Sequence, residues 1–344
     1  MTSIGEPLRK RLEDLSSDKE LTSEQIDQEV KAFMETIAPS IEKGAKRLLR
    51  SQAKQTDSFC ENNIKRWNEG FHYLEMLIQT SLEAGMATRK EFLGLTEFKD
   101  DLTLGMLLRI HARGVRLSKE IVTLMKAGYP DGALSRWRSL YELGLTSLAI
   151  RKIGAEAAED YYLSGKVKAL EGMKAHVRCA PRMRHETFTQ EEIDHAETEV
   201  ATLLQARGKE IGQYNGDYGW LRDHVGSGKR NKVEEFLDLD YWQSDYKWAS
   251  QDVHSGYREP MSSLALREAT EDMLVVGPSN SGMTDPGHRT ALCLSWITLS
   301  FINCYLDDDE SPFDGYSRVI WSKLIQEITD KVGAAFLSVQ TKRP

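Results

Sequence analysis

Cysteine is scarce in this chain. Its 344 residues include four, Cys60, Cys179, Cys293 and Cys304, and no two share a short spacing. That pattern supports neither a zinc knuckle nor a disulfide framework, and it fits a reducing cytoplasm. Cys293 and Cys304 fall in an apolar segment and are expected to be buried thiols. Long apolar runs are also missing: nothing approaches the ~18 residues of a membrane span. Residues 1–20 mix charge and polarity without an apolar stretch, which predicts no secretory signal. Positive charge is in deficit. Lys plus Arg number 45 against 53 for Asp plus Glu, a formal net charge of −8. A broad nucleic-acid coat needs the opposite sign, so only a local basic groove remains for that role. No repeat and no low-complexity linker divides the chain.

What the chain does have is helical periodicity. Hydrophobic content of 40% with 28% charge suits a globular protein of this length, which needs no staples to bury a core. Apolar residues recur every three or four positions over 26–49, with Pro39 expected to kink or divide that helix. The pattern returns over 64–84, where Gly85 reads as a stop. A helix over 101–126 ends at Ala127-Gly128, and Pro130 then opens the next at its first position. The short link predicts an antiparallel helical hairpin at the centre of the fold. Further helices are expected over 155–175, 190–207, 232–237, 241–254, 286–306 and 318–339. The stretch 208–228 is polar and glycine-rich but carries Tyr214, Tyr218 and Trp220. Residues 273–276 form one strand-like run, and Asp285 reads as an N-cap before Pro286. The expected fold is all-α, an antiparallel helical bundle-like domain over 96–344 with an N-terminal helical extension over 1–95.

Three blocks carry a family resemblance: GYPDGALSRWRSLYE at 128–142, YKWASQDVH at 246–254 and GPSNSGMTDPGH at 277–288. With them the chain, over about 67–299, resembles the domain of unknown function 5677 family, which is uncharacterised and mostly bacterial. The resemblance implies an all-helical fold. Some relatives look like parts of bacterial phage-defence or toxin-like loci, so it also implies a possible effector role.

The candidate chemistry lies in those blocks. Arg138 and Glu142 are four apart and share a helical face, beside Arg136 in an otherwise apolar segment. They are either a partly buried structural pair or a site, because perturbed charges cluster at sites. His254 could exchange protons near neutral pH, with Asp252 nearby, or it could simply cap a helix before Gly256. If the blocks converge, Arg138 would hold an anionic oxygen, His254 would transfer protons and Glu142 would orient one of them. That constellation would be a metal-independent ribonuclease. The loop 277–288, with Asn280, Asp285 and His288, could hold phosphate at a helix N-terminus, or be a structured connector. It matches neither GxGxxG nor a P-loop. A basic stretch, Lys174 to His185, is expected to be a loop broken by Pro181, either solvated or open to RNA.

The chain also carries weaker signals. A helical nuclease superfamily pairs an Arg with a His, four to six residues lying between them. Arg66 with His72 and Arg178 with His185 meet that bare pattern, which chance also supplies. Glu192 and His195 make a single Glu-x-x-His, too little for a di-iron bundle. No metal or cofactor is expected. Two readings remain. One is an effector with RNA or a nucleotide as ligand. The other is a non-enzymatic helical binding or regulatory module acting as a homodimer or with a partner protein. Neither involves a membrane.

Overall fold

A computed structural model describes residues 6–16, 22–98, 100–253, 263–271, 273–305 and 315–341, with only the backbone given for Glu6, Glu97, Met183 and Asp252. Among these residues there are twelve α-helices and no strand. The chain divides into two compact units, Met1–Asn62 and Asn63–Pro344.

The first unit holds α1 (Glu6–Ser16) and most of α2 (Ser23–Arg66), tied by an ion pair of 2.7 Å between Arg11 and Glu29. Pro39 does not divide α2, which is continuous through it. Proline removes one backbone bond, to the carbonyl four residues back. That residue, Glu35, is exposed, so water can serve the freed oxygen.

The second unit begins upstream of the break expected near Leu95. Helix α3 (Asn68–Leu93) belongs to the main body and packs on α11 (Thr284–Ile302) and α12 (Gly315–Thr341). Trp67, Phe71, Leu74 and Phe336 are buried there. Gly85 is not a stop, because α3 runs on to Leu93. Instead it makes room for a ring. A Cβ at Gly85 would lie 2.3 Å from His111 Cε1. His111 belongs to α4 (Leu102–Lys126), capped by Asp101, whose side chain accepts from the Leu104 N–H at 2.8 Å. The far end of α4 is closed by buried Asn63, whose Nδ2 donates to the carbonyls of Met125 and Lys126. This satisfies two of the four carbonyls that a helix end leaves open.

Gly128, at φ +87°, turns the chain into α5 (Pro130–Ile153), with Pro130 in the first turn. Helix α5 packs on α4 and α11. Trp137, Leu140, Tyr141, Leu145, Ala149 and Ile150 are fully buried, so the helix is apolar around most of its girth. The hairpin is therefore central, as its sequence predicts.

Helix α6 (Ala155–Met183) extends through Pro181, so most of the basic stretch from Lys174 lies on a helix rather than in a loop. It ends at Arg184 with φ +55°, and Lys174 pairs with Glu197 of α7 (Gln190–Arg207) at 2.6 Å. Residues 208–228 are polar in composition but bury Tyr214, Tyr218, Trp220 and Leu221. They include α8 (Arg222–Val225), and α9 (Arg230–Phe236) and α10 (Gln243–Val253) follow. Residues 273–276 are not a strand. Leu274 and Val276 are exposed and no strand among the described residues supplies a ladder, so β-branched composition finds no pairing there. Cys293 and Cys304 are buried, as expected.

Candidate functional site

Arg138 and Glu142 share one face of α5, with Nη2 and Oε1 3.6 Å apart. Between them comes Tyr246 of α10. Its hydroxyl accepts from Arg138 Nη2 and donates to Glu142 Oε1. The Tyr246 ring also carries two guanidinium groups, Arg138 at 4.5 Å and Arg230 of α9 at 3.7 Å from its centroid. Arg230 pairs in turn with Glu234, which is fully buried and accepts from the Tyr141 hydroxyl at 2.8 Å. The first two sequence blocks thus meet in one charged and aromatic network. Burial pushes the Glu234 carboxyl up, against the pull of Tyr141 and Arg230. Burial, then Glu142, raises the Tyr246 hydroxyl. The Tyr218 hydroxyl is raised further by burial, with Glu142 next. It is buried and has no hydrogen-bond partner among the described residues.

The third block reaches the same network through its neighbour Arg289. That guanidinium bonds Asp245 of α10 at 2.5 Å, lies 3.9 Å from Asp285 and sits 5.5 Å from the Trp137 ring. Asp285 is not an N-cap. It lies inside the first turn of α11, Met283 occupies the cap position, and Asp285 pairs with Arg267. Loop 277–288 is a braced connector. Asn280 lends its backbone carbonyl to Trp67 Nε1 at 2.9 Å and Arg66 Nη1 at 3.2 Å. Gly282 has φ +75°, and a Cβ there would lie 2.4 Å from the Leu264 carbonyl oxygen. His288 lies over Gly333 of α12, where a Cβ would meet its Nε2 at 2.8 Å.

Arg136 belongs elsewhere. It pairs with Glu120 of α4 at 2.6 Å, and Arg116 reaches the same carboxylate at 3.2 Å. Arg136 and the other Arg neighbours hold the Glu120 carboxyl below its ordinary value. His254 lies outside the described residues, as does the side chain of Asp252. Arg66 is held by Glu268 at 2.7 Å and His72 is exposed.

Sequence reasoning missed Tyr246, Arg230, Glu234 and Tyr218. It also missed Asp160 on α6, which is fully buried. Asp160 accepts from Arg207 Nε at 2.9 Å, Lys209 Nζ at 2.6 Å and the Tyr214 hydroxyl at 2.9 Å, and lies 3.1 Å from His224 Nε2. No local signal marks such a hub, because its partners lie 47 to 64 residues away.

Two cavities open beside the network. One, of about 230 Å³, is lined by Glu142, Ser139 and Tyr218. The other, of about 520 Å³, is lined by Arg116, Glu120 and Arg136, and Arg113 lines both. Among the described residues no group of three or more His, Cys, Asp or Glu is placed to hold a metal ion. Nor is any described helix long and apolar enough to cross a membrane.

The fold and site define an all-α protein with a braced charged network at its centre. Residues 105–271 match a family of unknown function, DUF5677, and over that span the chain resembles its members. The match includes the blocks at 128–142 and 246–254 and stops short of the third. Comparison with curated proteins and with solved structures finds no match.

Proposed function

We propose that this chain is a helical binding module, regulatory rather than catalytic, whose ligand enters beside Glu142. The observation that carries this reading is the engagement of the Arg138–Glu142 pair. Arg138 is 14% exposed, and Tyr246 occupies both its guanidinium and one oxygen of Glu142. A charged pair held in this way orders α5 against α10, and the cavity at Glu142 remains open to a ligand. The competing reading, a metal-independent ribonuclease acting as a defence or toxin-like effector, asks Arg138 to release Tyr246 in favour of phosphate. It also gives proton transfer to His254.

The test uses the full-length chain and its His254→Ala variant with total RNA. Intact RNA with both proteins is the expected result. Cleavage by the wild type that disappears in His254→Ala, with an unchanged melting temperature, would overturn the binding-module reading.

A further inference from the structure

Resting on the binding-module reading, we propose that the ligand is a mononucleotide. Its phosphate would lie on Arg113, Arg116 and Arg136, and its sugar and base in the cavity at Ser139, Glu142 and Tyr218. The two cavities that share Arg113 differ in charge in the way such a ligand requires. In the larger one three arginines face a single carboxylate, Glu120. Arg136 and Arg116 divide Glu120 between them, and Arg113 has no ion-pair partner among the described residues. An excess of guanidinium forks is what recognises phosphate oxygens. With Arg113 given to the phosphate, the smaller cavity keeps one cation, Lys168, and two carboxylates, Glu142 and Asp217. That excess of acceptors suits the hydroxyl and amine donors of a ligand's uncharged part.

Two of the polar side chains bordering the smaller cavity are Tyr218 and Glu142. The Tyr218 hydroxyl lies buried in its wall, without a hydrogen-bond partner among the described residues. A hydroxyl left unpaired in this way is destabilising unless something completes it. Glu142 gives one oxygen to Tyr246 and keeps the other for a donor. A carboxylate oxygen of this kind is what a ribose hydroxyl donates to. Tyr161, half-buried and backed by buried Trp220 with ring centroids 5.0 Å apart, adds an aromatic wall for a base. Size separates a mononucleotide from a strand. About 230 Å³ accepts one nucleoside, and a chain of net charge −8 repels a long polyanion.

Calorimetry on the full chain would compare AMP, GMP, CMP and UMP with pyrophosphate, the matching nucleosides and a short RNA oligonucleotide. At least one mononucleotide is expected to bind more tightly than its nucleoside, pyrophosphate or the oligonucleotide. Arg113→Glu should weaken it about 10- to 100-fold, the worth of one charge-assisted bond. Tyr218→Phe should weaken the mononucleotide, leave pyrophosphate unchanged and keep or raise the melting temperature, since it deletes an unpaired hydroxyl. Pyrophosphate binding as tightly as every mononucleotide would overturn the sugar and base half of the proposal. Tighter binding of the oligonucleotide, or no binding of any probe, would overturn it whole. These outcomes are separate from RNA cleavage that depends on His254, which overturns the binding-module reading itself.

Discussion

Tyr246 donates its hydroxyl to Glu142, a residue 104 positions earlier in the chain. The same oxygen takes a bond from Arg138, so one phenol group fastens α10 to α5. Tyr246→Phe keeps the ring beneath both guanidinium groups and removes the clasp. It should cost about 1–2 kcal/mol in urea unfolding. Tyr246→Leu also removes the cation–π contacts and should cost roughly 1 kcal/mol more. Equal stability of the Phe variant and wild type would show that the clasp contributes nothing.

Asp160→Asn should be the more damaging change. The carboxylate is fully buried and meets two fixed cations and a tyrosine. Removing one side of a buried charge cluster costs about 3–5 kcal/mol. Hydrogen exchange should rise first over 208–228, which Asp160 anchors through Lys209, Tyr214 and His224. Uniform exchange rates in the variant would contradict this localisation.

Fold and site are legible in the sequence only in part. Helix order, the hairpin at Gly128 and Pro130, and the buried aromatics of α5 follow from periodicity and turn chemistry, which are local. Gly85 misleads, because the ring that explains it comes from another helix, and glycine at a stop and glycine under a histidine look alike in sequence. Arg138 and Glu142 stand out at helical spacing. Tyr246 does not, since nothing near it indicates its position between them. Asp160 is silent for the same reason, its partners being distant in the chain. Residues 273–276 have strand composition but no strand beside them among the described residues.

Gly85→Ala tests the close approach directly. The added methyl would collide with His111, and overpacking a full core costs about 1–3 kcal/mol. In a His111→Ala background the collision disappears. The same substitution should then be neutral or stabilise by about 0.5–1 kcal/mol, alanine's advantage over glycine inside a helix. Thermal unfolding of the four proteins closes the cycle, and additive costs would exclude the contact.

His111 also sets a pH dependence. It is buried, and that burial depresses its pKa from 6.5 to about 4, against a smaller opposing hydrogen bond with the Ser81 backbone. Between those values the unfolded chain binds a proton that the folded chain does not, so stability rises with pH across that window. Acidification from 6.5 toward 4 should therefore remove up to roughly 3 kcal/mol. His111→Phe should flatten that part of the curve. An unchanged slope in the variant, read by urea unfolding at pH 4.5 and 7, would assign the proton elsewhere.

Because α5 presents almost no free face, it has no direction in which to slide or roll without opening the core. Its central amides should exchange with solvent only when the whole unit unfolds. Arg138 and Glu142 thus stand on a helix enclosed by its neighbours, and α10, which they hold through Tyr246, is a part able to respond. A signal from this protein would travel outward from a fixed helix to its loops, and α5 would serve as the reference against which that displacement is read.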